Sequence, residues 1–224
     1  MTSSATNAEA FTLYSYFRSS AAFRVRIALN LKEIEPDYRF IHLLKDGGQQ
    51  HATEYARFNP QELVPTLLHD GHAIGQSLAI MEYLDEIKPE PPLLPMGALG
   101  RARVRQLAYV IACDIHPVNN LRVLNYLRES LGQSNDTVIA WMDHWIDLGF
   151  SALETMLSGS KDTGRFCHGD RPTIADICLI PQLANARRGK LDLNRYPTLL
   201  RIENAAFELS AFEKALPKNQ PDAE

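Results

Sequence analysis

The chain has 224 residues, 45% hydrophobic and 22% charged, with Lys+Arg 23 against Asp+Glu 27 and a formal net charge of −4. That is enough apolar material for one large or two small domains, and it excludes the broad basic field of a nucleic-acid-binding protein. No apolar run approaches the roughly 18–20 residues that cross a bilayer, and Met1 to Ala10 lacks the parts of a signal peptide, so no membrane role and a cytoplasmic location are expected.

In chain order, Met1 to Ala10 is small and polar and reads as a frayed lead-in. Thr12 to Tyr16 is a first strand. Ser19 and Ser20 then stand as N-cap candidates for a helix to about Lys32, in which Ala22, Val25, Leu29 and, on the flank, Ala28 place one face on a core. Tyr38 to Leu43 gives a second strand, Lys45 to Gln50 a polar glycine-bearing turn, and Thr53 to Phe58 a short helix that stops before Asn59-Pro60. Leu63 to Leu68 and His72 to Ile74 are strands joined at Asp70-Gly71, a strong hairpin signal. Pro65, at the start of the third strand, cannot donate to a ladder. Ser77 to Ile87 is a helix with Leu78, Ile80, Met81 and Leu84 inward, ended by Lys88-Pro89-Glu90-Pro91-Pro92. The order βαβαββα is that of a thioredoxin-like domain, assigned to 11–88.

Residues 89–97 carry four prolines and read as a linker. Everything from 98 to 217 is expected to be helical, which makes the fold class α+β, with a mixed four-stranded sheet followed by an all-α domain. Arg101 to Leu131 presents Val104, Leu107, Ala108, Ile111 and Ile115 at helical spacing and breaks at His116-Pro117. Val138 to Leu157 is a second long amphipathic stretch. Thr173-Ile174-Ala175-Asp176 is a capping box, Tyr196-Pro197 to Ala215 a last helix, and Pro217 to Glu224 a loose tail. Cys113, Cys167 and Cys178 are odd in number and form no CxxC, so neither a disulfide framework nor a zinc site is expected, and no other metal site is assigned.

Ser19-Ser20 at a helix start can be a cap alone, or a site for an anion or thiolate, since a helix N-terminus offers unpaired N–H groups and about half a positive charge. Gln76-Ser77 allows the same two readings. Arg18, Arg122, Arg187 and Arg188 taken singly are surface charges; together they suit a dicarboxylate, because guanidinium grips carboxylate through two parallel hydrogen bonds. His116, at a proline kink, is assigned to a pocket wall and not to proton transfer.

Tyr14-Ser15-Tyr16-Phe17-Arg18-Ser19-Ser20, followed by Arg24-Val25-Arg26-Ile27-Ala28-Leu29, resembles the signature of zeta-class glutathione transferases, the family of maleylacetoacetate and maleylpyruvate isomerases. Asp114 to Arg122, Thr173 to Gln182, Asn185 to Arg188 and Gln220-Pro221-Asp222 extend the resemblance. One position departs: where the family reads Ser-Ser-Cys, this chain has Ala21, so a mechanism needing a protein thiol there is excluded. The resemblance implies a homodimer with the glutathione transferase fold and glutathione as cofactor. It also implies that the Val64-Pro65 bond is cis, with Val64 turned toward the cysteinyl amide. Gln76 and Ser77 would hold the γ-glutamyl carboxylate, and Gln50 would lie near the glycyl carboxylate. The implied activity is glutathione-dependent cis–trans isomerisation in aromatic-compound catabolism, and the alternative is a transferase or dehalogenase that consumes glutathione on α-halo acids. Ser19 is favoured over Ser20 as thiolate donor, the other hydroxyl being left to the cap. Lowering a thiol pKa from about 8.5 by about 2 units takes about 2.7 kcal/mol. One hydrogen bond to sulfur (about 1.5–3 kcal/mol) plus a helix terminus (about 0.5–1) suffices without a cysteine.

Overall fold

The computed structural model describes residues 10–224, so the expected lead-in falls, Ala10 apart, outside the described residues. The chain divides into two compact units, one reaching Pro91 and taking in Ala211–Glu224 as well, the other Pro92–Ser210.

The first unit runs β1 (Thr12–Ser15), α1 (Ser20–Leu31), β2 (Asp37–Phe40), α2 (Thr53–Ala56), β3 (Thr66–His69), β4 (His72–Gly75) and α3 (Ser77–Ile87). Among the described residues four strands make one sheet in the order β2-β1-β3-β4, with β1 parallel to β2 and antiparallel to β3. The β3–β4 hairpin turns at Asp70 (φ 48°) and Gly71 (φ 76°), the two successive left-handed residues that match the twist of a two-residue hairpin. Leu13, Ile27, Leu29, Leu67, Ile80, Met81 and Leu84 are fully buried between sheet and helices, and each contributes about 1.5–3 kcal/mol by leaving water.

The expected one-faced helix is corrected here: α1 is buried from Ala22 through Leu29, Arg24 and Arg26 included. A guanidinium can be buried when its N–H groups find acceptors. Arg26 donates from Nε to Ala215 O (3.1 Å), from Nη1 to Ser15 Oγ and Tyr16 O (both 3.3 Å), and from Nη2 to Phe17 O (3.1 Å). Burial lowers its pKa to about 10, so it stays protonated at neutral pH. Lys32, at the end of α1, is equally buried and donates to Asp85 Oδ1 (2.6 Å), Lys88 O (2.6 Å) and Pro91 O (2.7 Å).

These bonds also correct the expected loose tail and its place beside the helical domain. Residues 211–224 pack with the sheet unit: Asn30 Nδ2 donates to Ala211 O (2.8 Å), Arg26 to Ala215 O, and the Phe17 amide to Asp222 Oδ2 (2.9 Å). The single last helix expected to Ala215 is two, α8 (Pro197–Phe207) and α9 (Ser210–Lys214).

The second unit is helical, with α4 (Ala98–Tyr109), α5 (Leu121–Asn125), α6 (Asn135–Ser158), α7 (Ile174–Ala186) and α8. A π-helical turn, Val110–Ile115, carries α4 into the expected break at His116-Pro117. Gly149 of α6 sits against this turn, where a Cβ would come within 2.3 Å of Ile115 Cδ1, so any larger residue would have to displace that side chain. The capping box of α7 is present, with Asp176 taking the Thr173 amide (2.8 Å) and hydroxyl (3.0 Å) and also the Cys167 amide (2.7 Å). Among the described residues the three cysteines are free and no helix is long and apolar enough to cross a membrane.

Arg26→Ala removes the donor of three backbone carbonyls inside the core. Tyr16 O keeps the Ser19 amide, but Ala215 O and Phe17 O are left unpaired at about 1–3 kcal/mol each, so the variant is expected to lose about 2 kcal/mol or more of unfolding free energy in urea titration. An unfolding midpoint unchanged from wild type would show that the guanidinium carries no structural load.

Candidate functional site

The sheet register gathers the first unit's candidate residues at one end. Tyr14 pairs with Thr66 and Thr66 with Gly75, while Ser15 pairs with Phe40 in parallel. The end of β1, the start of β3, the end of β4 and the end of β2 therefore lie side by side. From them leave the loop to Ser19 and Ser20, the Val64-Pro65 entry, the Gln76-Ser77 step into α3, and the segment that leads to Gln50.

Ser19 is the N-cap of α1, its Oγ accepting from the Ala22 amide (3.1 Å); Ser20 is the first residue of the helix. The expected division of labour, one serine capping while the other serves sulfur, does not follow from this geometry. A hydroxyl accepts through its lone pairs and still has a proton to donate. Ser19 can do both. Neither α1 nor α3 has an acidic residue in its first turn, so the partial positive charge at each N-terminus is not offset locally.

The Val64-Pro65 bond is cis. Side chains that sequence reasoning passed over hold this corner: Asn59 Nδ2 donates to Leu63 O (2.7 Å) and Thr66 Oγ1 (3.1 Å), and the Tyr55 hydroxyl bonds Leu63 O and Thr66 Oγ1. The available signal was only an Asn before a Pro, which marks a turn. Gln76 caps α3 at φ 66° and donates from Nε2 to Gln61 Oε1 (2.7 Å). Ser77 is buried, its Oγ accepting from Arg24 Nη1 (3.3 Å), which ties the first turn of α3 to α1.

Gln50 is buried beside His51. His51 Nδ1 lies 2.6 Å from the Glu62 carboxylate, which can only accept, so the proton sits on Nδ1 and Nε2 accepts from Gln50 Nε2 (3.0 Å). This relay fixes the amide and leaves Gln50 Oε1 with no partner among the described residues. In this orientation the atom on offer is an acceptor, suited to an N–H of a peptide ligand.

Arg18 is exposed, its guanidinium 6.0 Å from the centre of the Phe17 ring. Burial pushes the neighbouring Tyr16 hydroxyl up, opposed by the Arg18 charge. In the second unit Arg122 is exposed on the first turn of α5, its amide donating to Asn120 Oδ1 (3.2 Å). His116 ends the π-turn, its amide bonded to Ile111 O (2.8 Å). Arg187 and Arg188 follow α7. Arg187 makes a two-pronged pair with Glu203 of α8, 2.6 Å from Nη1 to Oε1 with a second short contact between Nη2 and Oε2, and this bond raises its pKa. Glu203 is only 7% exposed, and no local pattern marks it as buried. Among the described residues no group of His, Cys, Asp and Glu is placed to hold a metal.

Comparison with known proteins adds the following. Residues 13–92 match the family model described as the glutathione S-transferase N-terminal domain, and 139–218 that of the C-terminal domain. A Vibrio cholerae protein named probable maleylacetoacetate isomerase is 49% identical over 94% of this chain and 97% of its own. The holo structure of a bacterial zeta-class maleyl pyruvate isomerase superposes with a TM-score of 0.92 at 44% identity, covering 95% of this chain and all of the other. A maleylacetoacetate isomerase from Methylobacterium extorquens AM1, solved with malonate and glutathione, gives 0.91 at 42% identity over 95% and 99% of the two chains.

Arg187→Ala would strand the buried Glu203 carboxylate, whereas Arg188→Ala would not. The expected loss for Arg187→Ala is about 1–3 kcal/mol of stability, the usual cost of an unpaired buried acceptor. Thermal unfolding of the two single variants checks this, and equal melting temperatures would contradict it.

Proposed function

The chain belongs to the glutathione S-transferase family, in its zeta class, and on that premise we propose that it is a glutathione-dependent cis–trans isomerase of maleyl keto acids, maleylacetoacetate or maleylpyruvate. The observation that carries the reading is the convergence of Ser19, Val64-Pro65, Gln76-Ser77 and Gln50 at one end of the sheet, beside two helix N-termini with no acid in their first turns. These residues fit the tripeptide: two positive helix ends suit an anionic sulfur and a carboxylate, and the orphaned Gln50 Oε1 suits an amide N–H. Bound glutathione supplies the thiolate that adds to the cis double bond, lets the carbon–carbon axis turn and leaves again unconsumed.

In this reading the chain's own residues bind and bias. The Ser19 hydroxyl donates to sulfur and the N-terminus of α1 favours its negative charge. Gln76, Ser77 and the N-terminus of α3 hold the γ-glutamyl carboxylate, and the backbone of Val64 holds the cysteinyl amide. Arg18 binds a substrate carboxylate beside the nucleophile; for Arg122, Arg188 and His116 of the helical unit, a substrate role rests on the family resemblance. Arg187, held by Glu203, positions the chain on which Arg188 sits. We also propose that the enzyme works in the cytoplasm as a homodimer, a reading supported by the large apolar side chains of Met96 and Leu99 that the single chain leaves almost fully exposed.

Incubation with maleylacetoacetate or maleylpyruvate should form the trans product only when glutathione is present, and total glutathione should stay constant. Stoichiometric loss of thiol would favour a conjugating transferase, and full activity without thiol would overturn the reading. Ser19→Ala should move the acid limb of kcat/KM up by about 1–2 pH units, the loss of one hydrogen bond to a thiolate, whereas Ser20→Ala should not. Arg188→Ala should lower kcat/KM for the maleyl acid about ten- to a hundredfold at saturating glutathione; a change within about twofold would make it a surface charge. Light scattering should return about twice the 25.2 kDa of one chain.

A further inference from the structure

Residues 220–224 lie on the site end of the sheet unit. The Asp222 carboxylate takes the Phe17 amide through Oδ2 (2.9 Å), and its Oδ1 is buried. Ala223 packs on the cluster of Tyr16, Phe17, Tyr55 and Val64. Glu224 reaches the next loop: Lys45 Nζ donates to its Oε1, and His42 Nε2 stands 3.5 Å from the same oxygen. His42 Nδ1 accepts the Leu44 (3.1 Å) and Lys45 (2.9 Å) amides, so its ring proton sits on Nε2, facing Glu224.

The loop from Tyr16 to Ser19 is thus held on both edges. Its carbonyls at Tyr16 and Phe17 accept from Arg26, its Ser19 amide closes on Tyr16 O (3.0 Å), and its Phe17 amide is left to Asp222. We infer that Asp222 is a positioning residue, which by taking the Phe17 amide sets the loop that presents Ser19, and so governs thiol binding and acidity without touching the ligand. The inference rests on the proposed function for its ligand, and on hydrogen bonds alone for the loop.

The test uses the full chain as Asp222→Ala and Asp222→Asn, since Asn keeps an acceptor of similar reach. Asp222→Ala is expected to raise KM for glutathione about tenfold, the order of one charge-assisted hydrogen bond, and to move the acid limb of kcat/KM upward. Asp222→Asn should restore both to within about threefold of wild type, because the neutral hydrogen bond it keeps is worth roughly half the charged one. In the free protein, amide exchange at Phe17 to Ser20 should quicken in Asp222→Ala. A lower melting temperature with KM, pH profile and Phe17 exchange all unchanged would make Asp222 mere ballast for stability and overturn the inference. So would an Asn variant as impaired as Ala. If the wild type neither binds nor uses glutathione, the proposed function fails, while faster exchange confined to this loop would still sustain the positioning role and unchanged exchange would sink it.

Discussion

A charged guanidinium in the middle of a hydrophobic core is the constraint on which the sheet unit turns. Arg26 stays cationic in near-complete burial because four N–H···O contacts meet it from two segments that are far apart in sequence: the end of β1 with the loop after it, at Ser15, Tyr16 and Phe17, and the 211–224 segment at Ala215. Removing such a group from water without partners costs many kcal/mol. The acceptors are therefore obligatory, and satisfying them fixes where the β1–α1 loop runs. The helix that carries Arg26 also begins at Ser19, so one residue sets both the start of α1 and the path of the chain into it.

Register does the rest. In a sheet a slip of one residue reverses the face of every side chain, and burial of Leu13 against Leu67 holds β1 and β3 in one alignment. With that alignment fixed, the four loops at the ends of β1 and β2 and the starts of β3 and α3 have no freedom to separate. Ligand-binding residues widely spaced in sequence become neighbours through backbone pairing, before any side chain recognises anything.

This explains what could and could not be read from the sequence. The Asp70-Gly71 hairpin, the capping box at Thr173 and Asp176, the helix from Ser77 to Ile87 and the break at His116-Pro117 were legible, since each depends on residues within a few positions. The zeta signature pointed to the candidate loops. Illegible were contacts whose partners are remote: Arg26 with Ala215, Phe17 with Asp222, Arg187 with Glu203. A periodicity rule scores Arg24 and Arg26 as a solvated face, and a composition rule scores Gln220 to Glu224 as loose. Both rules fail for one reason, that a charged or polar group goes inward when distant backbone groups await it.

The same reasoning bears on Ala21, where the family signature has cysteine. If one serine had to cap and another to activate sulfur, the loss of a third polar side chain would leave the site short of donors. The Ser19 geometry removes that shortage. Its oxygen accepts the Ala22 N–H, and a hydroxyl that accepts a hydrogen bond is a better donor through its own proton, because hydrogen bonds in series polarise one another. In the proposed function, capping would therefore strengthen donation to sulfur. At Ala21 a small apolar residue keeps the first turn of α1 free of a competing nucleophile, and the about 2.7 kcal/mol needed to bring a thiol two pH units down is within reach of one such donor and a helix end with no acid to offset it.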